Sequence, residues 1–479
     1  MQLRIFAEDN RKWLTLAAVS VGLFMIMLDN TVVNVALPSI QRDLGADLSG
    51  LQWIVTGYAL TFAALLLVGG KVADAYGRRR IFVIGIVVFT IASLLCGLAG
   101  STDMLIGARV LQGAGAALMN PATLSIIAAT FPPAQRGAAI GIWAGVSALA
   151  LAVGPLVGGL LTEQLSWHWI FFVNVPVGVL GIAASYLFID ETRDETHERL
   201  DLPGLATSGV GLFALTYGLI EANTYGWTSA RIVGSFVVAA SGLVLFVLLE
   251  RHQRSPMLQL ELFRNRTYTG ANTVMLLVAL AMFGVFFFVS LYMQNILGYT
   301  AVQAGAAFLP MTVLIILVAP AAGRSSDRFG SRGLVTVGML LVALQLLLFS
   351  RLSEDASYWN LLPALVVGGI GMAMTMTPTA AAATRAVPVD KAGVGSAVLN
   401  SARQVGGTLG IALMGAIVAS EAGGEQTPAA FMEGFEASLL VAAAIALAGA
   451  VVAFALLRPH DDAGRAEGTA AAPVAASEG

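Results

Sequence analysis

The sequence between residues 70 and 80 reads GKVADAYGRRR, and residues 323–332 repeat its pattern as GRSSDRFGSR. In both copies an aspartate follows the first glycine by four positions and a second glycine follows it by seven, and the copies start 253 residues apart. Each copy joins two long apolar segments. Glycine permits a tight reversal of the chain, and arginines anchor a short loop at the inner lipid surface. The repeat therefore predicts a membrane protein made of two related halves.

The composition agrees with this interpretation and excludes several classes of protein. Hydrophobic residues make up 57% of the 479 residues and charged residues 11%, whereas about 25% of a soluble domain is charged. The single cysteine, Cys96, excludes an intramolecular disulfide and a cysteine metal cluster. We expect no metal and no organic cofactor. The net charge of −3 gives no indication of a nucleic-acid partner.

Runs of low charge predict fourteen membrane-spanning helices. The predicted spans are about 13–36, 50–70, 81–100, 103–124, 137–161, 169–189, 203–221, 232–249, 270–293, 302–322, 333–350, 360–380, 392–418 and 434–457. They divide the chain into an N-terminal segment (1–12), a six-helix bundle (13–189), a connector (190–202), an inserted helix pair (203–250), a linker (251–269), a second six-helix bundle (270–457) and a disordered tail (458–479). The predicted fold class is thus an all-α polytopic membrane protein of six, two and six helices.

Lysine and arginine positions predict the orientation in the membrane. With the N-terminus in the cytoplasm, the inner segments hold 21 of these residues and the outer loops hold 3. Since cytoplasmic loops carry an excess of Lys and Arg, both termini are expected in the cytoplasm and the chain in the cell inner membrane.

Five motifs resemble those of the major facilitator superfamily, and within it those of the fourteen-helix drug:proton antiporters. The loop motif matches at Gly70, Asp74, Gly77, Arg78 and Arg79, with Ala75 where an arginine is usual. The others read LDNTVVNVALP (28–38), RVLQGAG (109–115), GPLVGG (154–159) and WHWIFFVNVPVG (167–178), and Ala150 stands where the fifth-helix motif usually begins with glycine.

This resemblance implies two pseudo-symmetric bundles around a central cavity and transport by alternating access. It implies that the loop motif, with Asp327 of the second copy, is a conformational switch in which Asp74 holds the cytoplasmic side closed by contact across the halves. It also implies that Gly154, Pro155, Gly158 and Gly159 bend the fifth helix and seal the cavity outward of the site, whereas tight packing alone is the alternative.

The residues themselves single out one pair of charges. Asp29 lies about seven residues, or about 10 Å, below the predicted outer end of its span, and Arg109 about six residues, or about 9 Å, below the same face. Facing each other across a wet cavity, they would offset most of the cost of a charge in lipid. In the second half of the chain, Leu365 aligns with Arg109 when the glycines of the two segments are matched. We therefore predict proton coupling at Asp29, tuned by Arg109; a static packing bridge is the alternative.

The sequence specifies the substrate cavity only weakly. Polar, aromatic and thioether side chains at suitable depths are Asn30, Asn34, Trp53, Tyr58, Gln112, Phe287, Gln294, Met376 and Arg403. Lipid contact or a place in the core is the alternative for the apolar members. Arg403 either packs against backbone carbonyls or faces the cavity. Glu163 and Glu221 are interpreted as solvated helix ends.

The predicted function is proton-coupled export of a small lipophilic compound, cationic because the cavity is acidic, across the lipid bilayer. An ATP-driven pump is disfavoured because Gly69, Gly70 and Lys71 are followed by Val72 and lack the first glycine of a phosphate loop. No catalytic His-Glu-x-x-His or Gly-x-Ser-x-Gly pattern predicts an enzyme. Export of an endogenous metabolite or antibiotic and a non-transporting membrane sensor stay open.

Overall fold

The structure of the protein is a computed structural model that describes residues 8–193, 201–253, 256–388, 391–422 and 427–458. In chain order the α-helices are α1 Glu8–Leu44, α2 Leu48–Tyr76, α3 Arg78–Gly97, α4 Thr102–Thr130, α5 Pro133–Gln164, α6 Trp169–Phe172, α7 Asn174–Phe188, α8 Leu202–Tyr225, α9 Ala230–His252, α10 Arg266–Leu291, α11 Ala301–Ala307, α12 Leu309–Phe329, α13 Ser331–Phe349, α14 Tyr358–Arg385, α15 Ala392–Glu421 and α16 Pro428–Leu456. A 3-10 helix, Leu260–Arg264, precedes α10, and a π-helical turn, Tyr292–Ile296, follows it.

Among the residues that the structure describes, fourteen helices are long and apolar enough to cross a membrane, which confirms the predicted number. The sixteen α-helices of the described ranges give fourteen spans because α6 and α7 form one span, and α11 and α12 form another. Several helices are longer than predicted: α1 runs to Leu44, eight residues past the expected end at 36. Hydropathy detects only the lipid-facing core of a helix, so polar ends are underestimated. The predicted disordered tail (458–479) and residues 194–200 of the connector lie almost entirely outside the described residues.

Both copies of the repeated motif form a tight reversal between two helices. Gly77 separates α2 from α3 with a φ of +108°, and Gly330 separates α12 from α13 with a φ of +82°. Each glycine donates its backbone N–H to the preceding helix, to Ala73 O at 3.1 Å and to Ser326 O at 2.9 Å. A side chain would be strained at such a φ, so the glycines of the motif are required by the backbone. We call this end of the molecule the loop end.

The two six-helix bundles meet at the end opposite the loop end. Four hydrogen bonds join the bundles there, from Ser290 to Asn34 O, from Gln294 to Val35 O, from Gln52 to Ile411 O and from Val302 N to Glu163. We call these eight residues the closing layer. These four hydrogen bonds hold the two bundles together, so the molecule is closed at this end.

The inserted helices α8 and α9 pack on each other, and α8 also lies against both bundles. The Glu221 carboxylate of α8 accepts hydrogen bonds from Ser49 at 2.8 Å and from Trp53 at 2.9 Å, both on α2. Asn223, half a turn further on, donates to Ala416 O of α15 at 2.8 Å. The interpretation of Glu221 as a solvated end is therefore wrong, because its carboxylate holds the inserted pair to the first bundle.

Candidate functional site

A charged cluster lies between α1 and α4, inside the first bundle. Arg109 of α4 forms an ion pair with Asp29 of α1, and its Nη1 also donates to Gln112 Oε1 at 2.6 Å. Gln112 stands one turn after Arg109 on the same face and donates through Nε2 to the other Asp29 oxygen at 2.8 Å. The Asp29 carboxylate thus has a charged donor on one oxygen and a neutral donor on the other.

The cluster is enclosed by protein on all sides. Asp29 and Arg109 are each 1% exposed, and Gln112 is fully buried. Arg109 Nε donates to Ile54 O of α2 at 3.1 Å, and the guanidinium carbon lies 4.3 Å from the ring centre of Tyr58. A buried charge is costly unless it is paired and hydrogen-bonded, and here both charges are. In this conformation the pair is therefore closed to a ligand.

The expected pairing of Asp29 and Arg109 is found, although the depth argument for it was inaccurate. Because α1 continues to Leu44, Asp29 lies 15 residues from the end of its helix, not seven. Arg109 lies seven residues after the start of α4 at Thr102. Leu365 of α14, which takes the place of Arg109 in the second half, is buried among apolar residues. The charged cluster is thus confined to the first half.

The glycines of the GPLVGG motif pack α5 against two different neighbours. A Cβ on Gly154 would lie 1.8 Å from Thr31 Oγ1 of α1, and one on Gly158 would lie 2.8 Å from Val32 O. One on Gly159 would lie 2.5 Å from Ala301 O of α11, in the other bundle. Small residues allow backbones to approach this closely. The motif therefore packs α5 next to the Asp29 segment on one face and onto the second bundle on the other.

The second bundle also contributes a glycine to the contact between α5 and α11. A Cβ on Gly305 of α11 would lie 2.1 Å from Pro155 O, an atom of the α5 backbone. Gly159 and Gly305 thus interlock beside the closing layer. The sequence analysis did not identify Gly305, since a lone glycine in an apolar segment gives no sign of its partner helix.

The loop motif makes its contacts near its own end of the molecule. Asp74 forms an ion pair with Arg78 at 2.7 Å, and Asp327 of the second copy pairs with Arg385 at 2.7 Å. The backbone N–H groups of Arg79 and Arg80 donate to the two Glu191 oxygens, both at 3.1 Å. For Asp74 the structure thus describes a contact within the first bundle, and the expected contact across the halves stays a prediction for another conformation.

Lys71 connects the same loop to the linker that follows the inserted pair. Its Nζ donates to Pro256 O at 3.1 Å. In the sequence this lysine was interpreted only as part of the repeated loop, as one of the cytoplasmic positive charges and as part of an incomplete phosphate loop, and its role as a contact between α2 and the linker was missed.

Four of the residues predicted to line the substrate cavity have other surroundings. Tyr58 and Gln112 belong to the charged cluster, and Gln294 and the Asn34 carbonyl belong to the closing layer. The Tyr58 ring and the side-chain amides of Gln112 and Gln294 are engaged within the protein, whereas the Tyr58 hydroxyl and Asn34 Oδ1 are buried without a hydrogen-bond partner.

Trp53 and Phe287, which were also predicted to line the substrate cavity, have other surroundings as well. The Trp53 ring packs on Phe213 and Tyr217 of α8, with centroids 5.6 and 6.3 Å apart, so it lies in the seam with the inserted pair. Phe287 is fully buried against Phe288. Hydropathy gives the depth of an aromatic residue but not its neighbour, which explains both differences.

Six of the predicted cavity residues keep part of their surface exposed: Asn30, Asn34, Trp53, Gln294, Met376 and Arg403. Asn30 follows Asp29 directly and donates to Ile26 O at 3.0 Å. Within the described ranges no group of three His, Cys, Asp or Glu side chains could hold a metal ion.

Two related bundles that meet at one end, with a buried acid–base pair between transmembrane helices, define a helical membrane transporter of the two-bundle kind. Such a pair is expensive inside a membrane and marks an ion or substrate pathway.

The chain belongs to the major facilitator superfamily, because the family model of that description matches residues 19–411 and 273–478. It is 38% identical over 414 residues to the tetracenomycin C resistance and export protein of Streptomyces glaucescens, covering 86% of this chain and 77% of the relative. It is 39% identical over 410 residues to the multidrug resistance protein Stp of Mycobacterium tuberculosis, covering 85% of this chain and 76% of the relative. The chain is accordingly a transporter of this superfamily.

A solved structure shares the fold. The bacterial homologue of the human lysosomal transporter Spinster superposes with a TM-score of 0.62 at 19% identity, covering 93% of this chain and 96% of that one. The fourteen-helix major facilitator fold predicted from the sequence is thus confirmed.

Proposed function

We propose that the protein exports lipophilic compounds from the cytoplasm in exchange for protons, by alternating access. The observation that carries the proposal is the buried cluster of Asp29, Arg109 and Gln112, because a carboxylate is costly inside a membrane and here it is paired with a fixed positive charge. Arginine keeps its charge, so Asp29 is the member of the pair that can bind and release a proton.

The packing supports a cycle in which the two ends open in turn. In the described conformation the closing layer and the interlock of Gly159 with Gly305 join the bundles at one end. The Lys and Arg distribution assigns that end to the outside, so this conformation would receive substrate from the cytoplasm. Opening of the closed end would separate α5 from α11, and because α5 also packs on the Asp29 segment of α1, the motion would reach the carboxyl group.

Cationic substrates are a weaker part of the proposal. The sequence argument for them rested on the presence of an acidic residue, Asp29, in the cavity. Its two oxygens accept from Arg109 and Gln112, so a cation would first have to displace Arg109.

The direct test uses cells that express the protein and a lipophilic dye, the ethyl ester of rhodamine B. Energised cells should hold less dye than cells without the protein, and a protonophore should remove the difference. Equal dye in all cells would contradict proton-driven export and favour a non-transporting sensor. Because one relative is a resistance and export protein for tetracenomycin C, an antibiotic is the second class of substrate to test.

Replacement of the aspartate in each copy of the loop motif should show which copy contributes more to export. We expect Asp74→Asn to reduce dye export strongly, because it breaks the ion pair with Arg78 in the copy that matches the family motif more fully. Asp327→Asn should be milder. The measurement is the initial export rate per amount of protein in the membrane, and near-wild-type export by both variants would reduce the loop to a topological anchor.

Reporter fusions test the proposed orientation. Fusions after residues 225 and 297 should report the outside, and fusions after residues 195, 255 and 465 the cytoplasm, because of the 21 to 3 bias of Lys and Arg. A cytoplasmic signal at 225 would contradict both the inserted pair and the count of fourteen spans.

A further inference from the structure

Arg403 carries a charge deep in the second bundle. It lies 11 residues after the start of α15 and 18 residues before its end. Ile411, whose carbonyl belongs to the closing layer, is eight residues further along α15, which places Arg403 about 12 Å further from the closed end. A guanidinium at this depth is costly unless it has a partner.

Arg403 faces α10. It shares a helix face with Gly406 and Gly407, three and four residues later, where an added Cβ would lie 2.3 Å from Leu276 O and 2.8 Å from the Phe283 ring. Towards the loop end, Tyr268 of α10 donates to Gly395 O of α15 at 3.2 Å. Arg403 therefore lies along the seam between α10 and α15, between these two contact points.

This part of α15 contains polar groups without partners. Among the described residues, none forms an ion pair or a hydrogen bond with Arg403, and its Nε is buried. The adjacent Gln404, which is 3% exposed, has no partner for its Nε2 group, and neither has the Ser401 hydroxyl one turn earlier. Within a single turn α15 thus presents a guanidinium, an amide and a hydroxyl whose donor groups lack acceptors.

Asn272 does not supply the missing negative charge. It lies midway between Tyr268 and Leu276 on the face of α10 that packs against α15. Its amide nitrogen donates to Tyr268 O at 2.9 Å and its Oδ1 has no partner. A neutral oxygen could accept one hydrogen bond from Arg403 but cannot balance the charge.

The charge balance of the two bundles is therefore unequal. Asp29 and Arg109 neutralise each other in the first bundle, whereas Arg403 has no carboxylate beside it in the described part of the second. Five N–H donors of a guanidinium in fork geometry match a carboxylate, sulfonate or phosphate.

We propose that Arg403 binds an acidic group of the exported compound. The substrate class is then a lipophilic molecule with a carboxylate or another anionic group. Its apolar body would supply the hydrophobic contacts and its acid the missing counter-charge. The inference rests on the proposed export function for its biological meaning, but binding of the acid can be measured without any gradient.

The test compares two ligands that differ by one charge, rhodamine B with its free carboxylate and the ethyl ester of rhodamine B. Purified full-length protein is titrated with each dye, and binding is followed by fluorescence anisotropy. We expect wild-type protein to bind the acid more tightly than the ester. Arg403→Gln should weaken binding of the acid by roughly 10- to 100-fold, the effect of a lost charge-assisted hydrogen bond, and should change binding of the ester little. Arg403→Lys should keep part of the preference.

Arg351→Gln is the matched control, because Arg351 is exposed in a loop and its loss should leave both affinities unchanged. Equal loss of affinity for acid and ester in Arg403→Gln would overturn the proposal. So would a wild-type protein that binds the acid no better than the ester, a comparison that needs no variant. If both dyes bind as expected but neither is exported by energised cells, the anionic site stands and the export proposal fails.

Discussion

Asp29→Asn should abolish substrate export driven by a pH gradient, reducing it to the background of liposomes without protein. The asparagine oxygen can still accept a hydrogen bond from Arg109, so the helices should stay in register. The amide cannot bind and release a proton at working pH, and the coupling step is lost. The measurement is export by purified protein in liposomes with an imposed pH difference.

Two further readouts distinguish lost coupling from lost folding. Removal of one partner of a buried ion pair destabilises by about 3–5 kcal/mol, so rates must be normalised to folded protein and the melting temperature recorded. Exchange of substrate for substrate across the liposome membrane needs no net proton movement and should continue. Asp103→Asn is the control, because Asp103 lies exposed in the first turn of the same helix as Arg109. Wild-type proton release on substrate addition to Asp29→Asn would place the coupling group elsewhere.

Gly305→Ala should destabilise the closed end. The added methyl would lie 2.1 Å from Pro155 O, and because that atom belongs to a helix backbone it cannot move aside as a side chain would. Overpacking of this kind costs about 1–3 kcal/mol, and here the cost falls only on the conformation in which α5 meets α11. The equilibrium should shift toward a protein open at that end, with export strongly reduced.

Thiol labelling measures this shift. In a Cys96→Ser background, Asn30→Cys places a reporter next to Asp29, on the inner side of the closing layer. An impermeant maleimide added outside the cell should label it at least about tenfold faster in Gly305→Ala, which corresponds to about 1.4 kcal/mol. Gly107→Ala is the control, since a Cβ there meets nothing within 4 Å. Unchanged labelling in Gly305→Ala would mean that the interlock does not hold the end closed.

The sequence predicted the parts of this molecule that depend on local pattern. Apolar runs gave fourteen spans, and the two glycine turns at Gly77 and Gly330 lie where the repeated motif placed them. The pairing of Asp29 with Arg109 was also expected, because two charges at similar depth in lipid have few other partners.

Apart from that pair, contacts between distant segments could not be read in this way. Gln112 was predicted to line the substrate cavity, yet it donates to Asp29, and Trp53 was placed there as well, yet it donates to Glu221 of the inserted pair. Depth and helix face follow from one segment of sequence, whereas the identity of the neighbour depends on how all the helices pack. For Arg403 the sequence left two alternatives open, and the structure adds that carbonyls do not accept its hydrogen bonds among the described residues.

The two sides of the closed end are held together differently, because α8 is attached to both bundles on one side only. On one side α8 is fastened to the first bundle through Glu221 and to the second through Asn223. On the other side α5 and α11 meet directly, with Gly159 and Gly305 between them. Because α8 is hydrogen-bonded to both bundles, the bundles must either rotate about α8 or break the bonds of α8 to one of them. Separation of the bundles at this end therefore costs fewer side-chain hydrogen bonds if they swing about α8 and part first along α5 and α11.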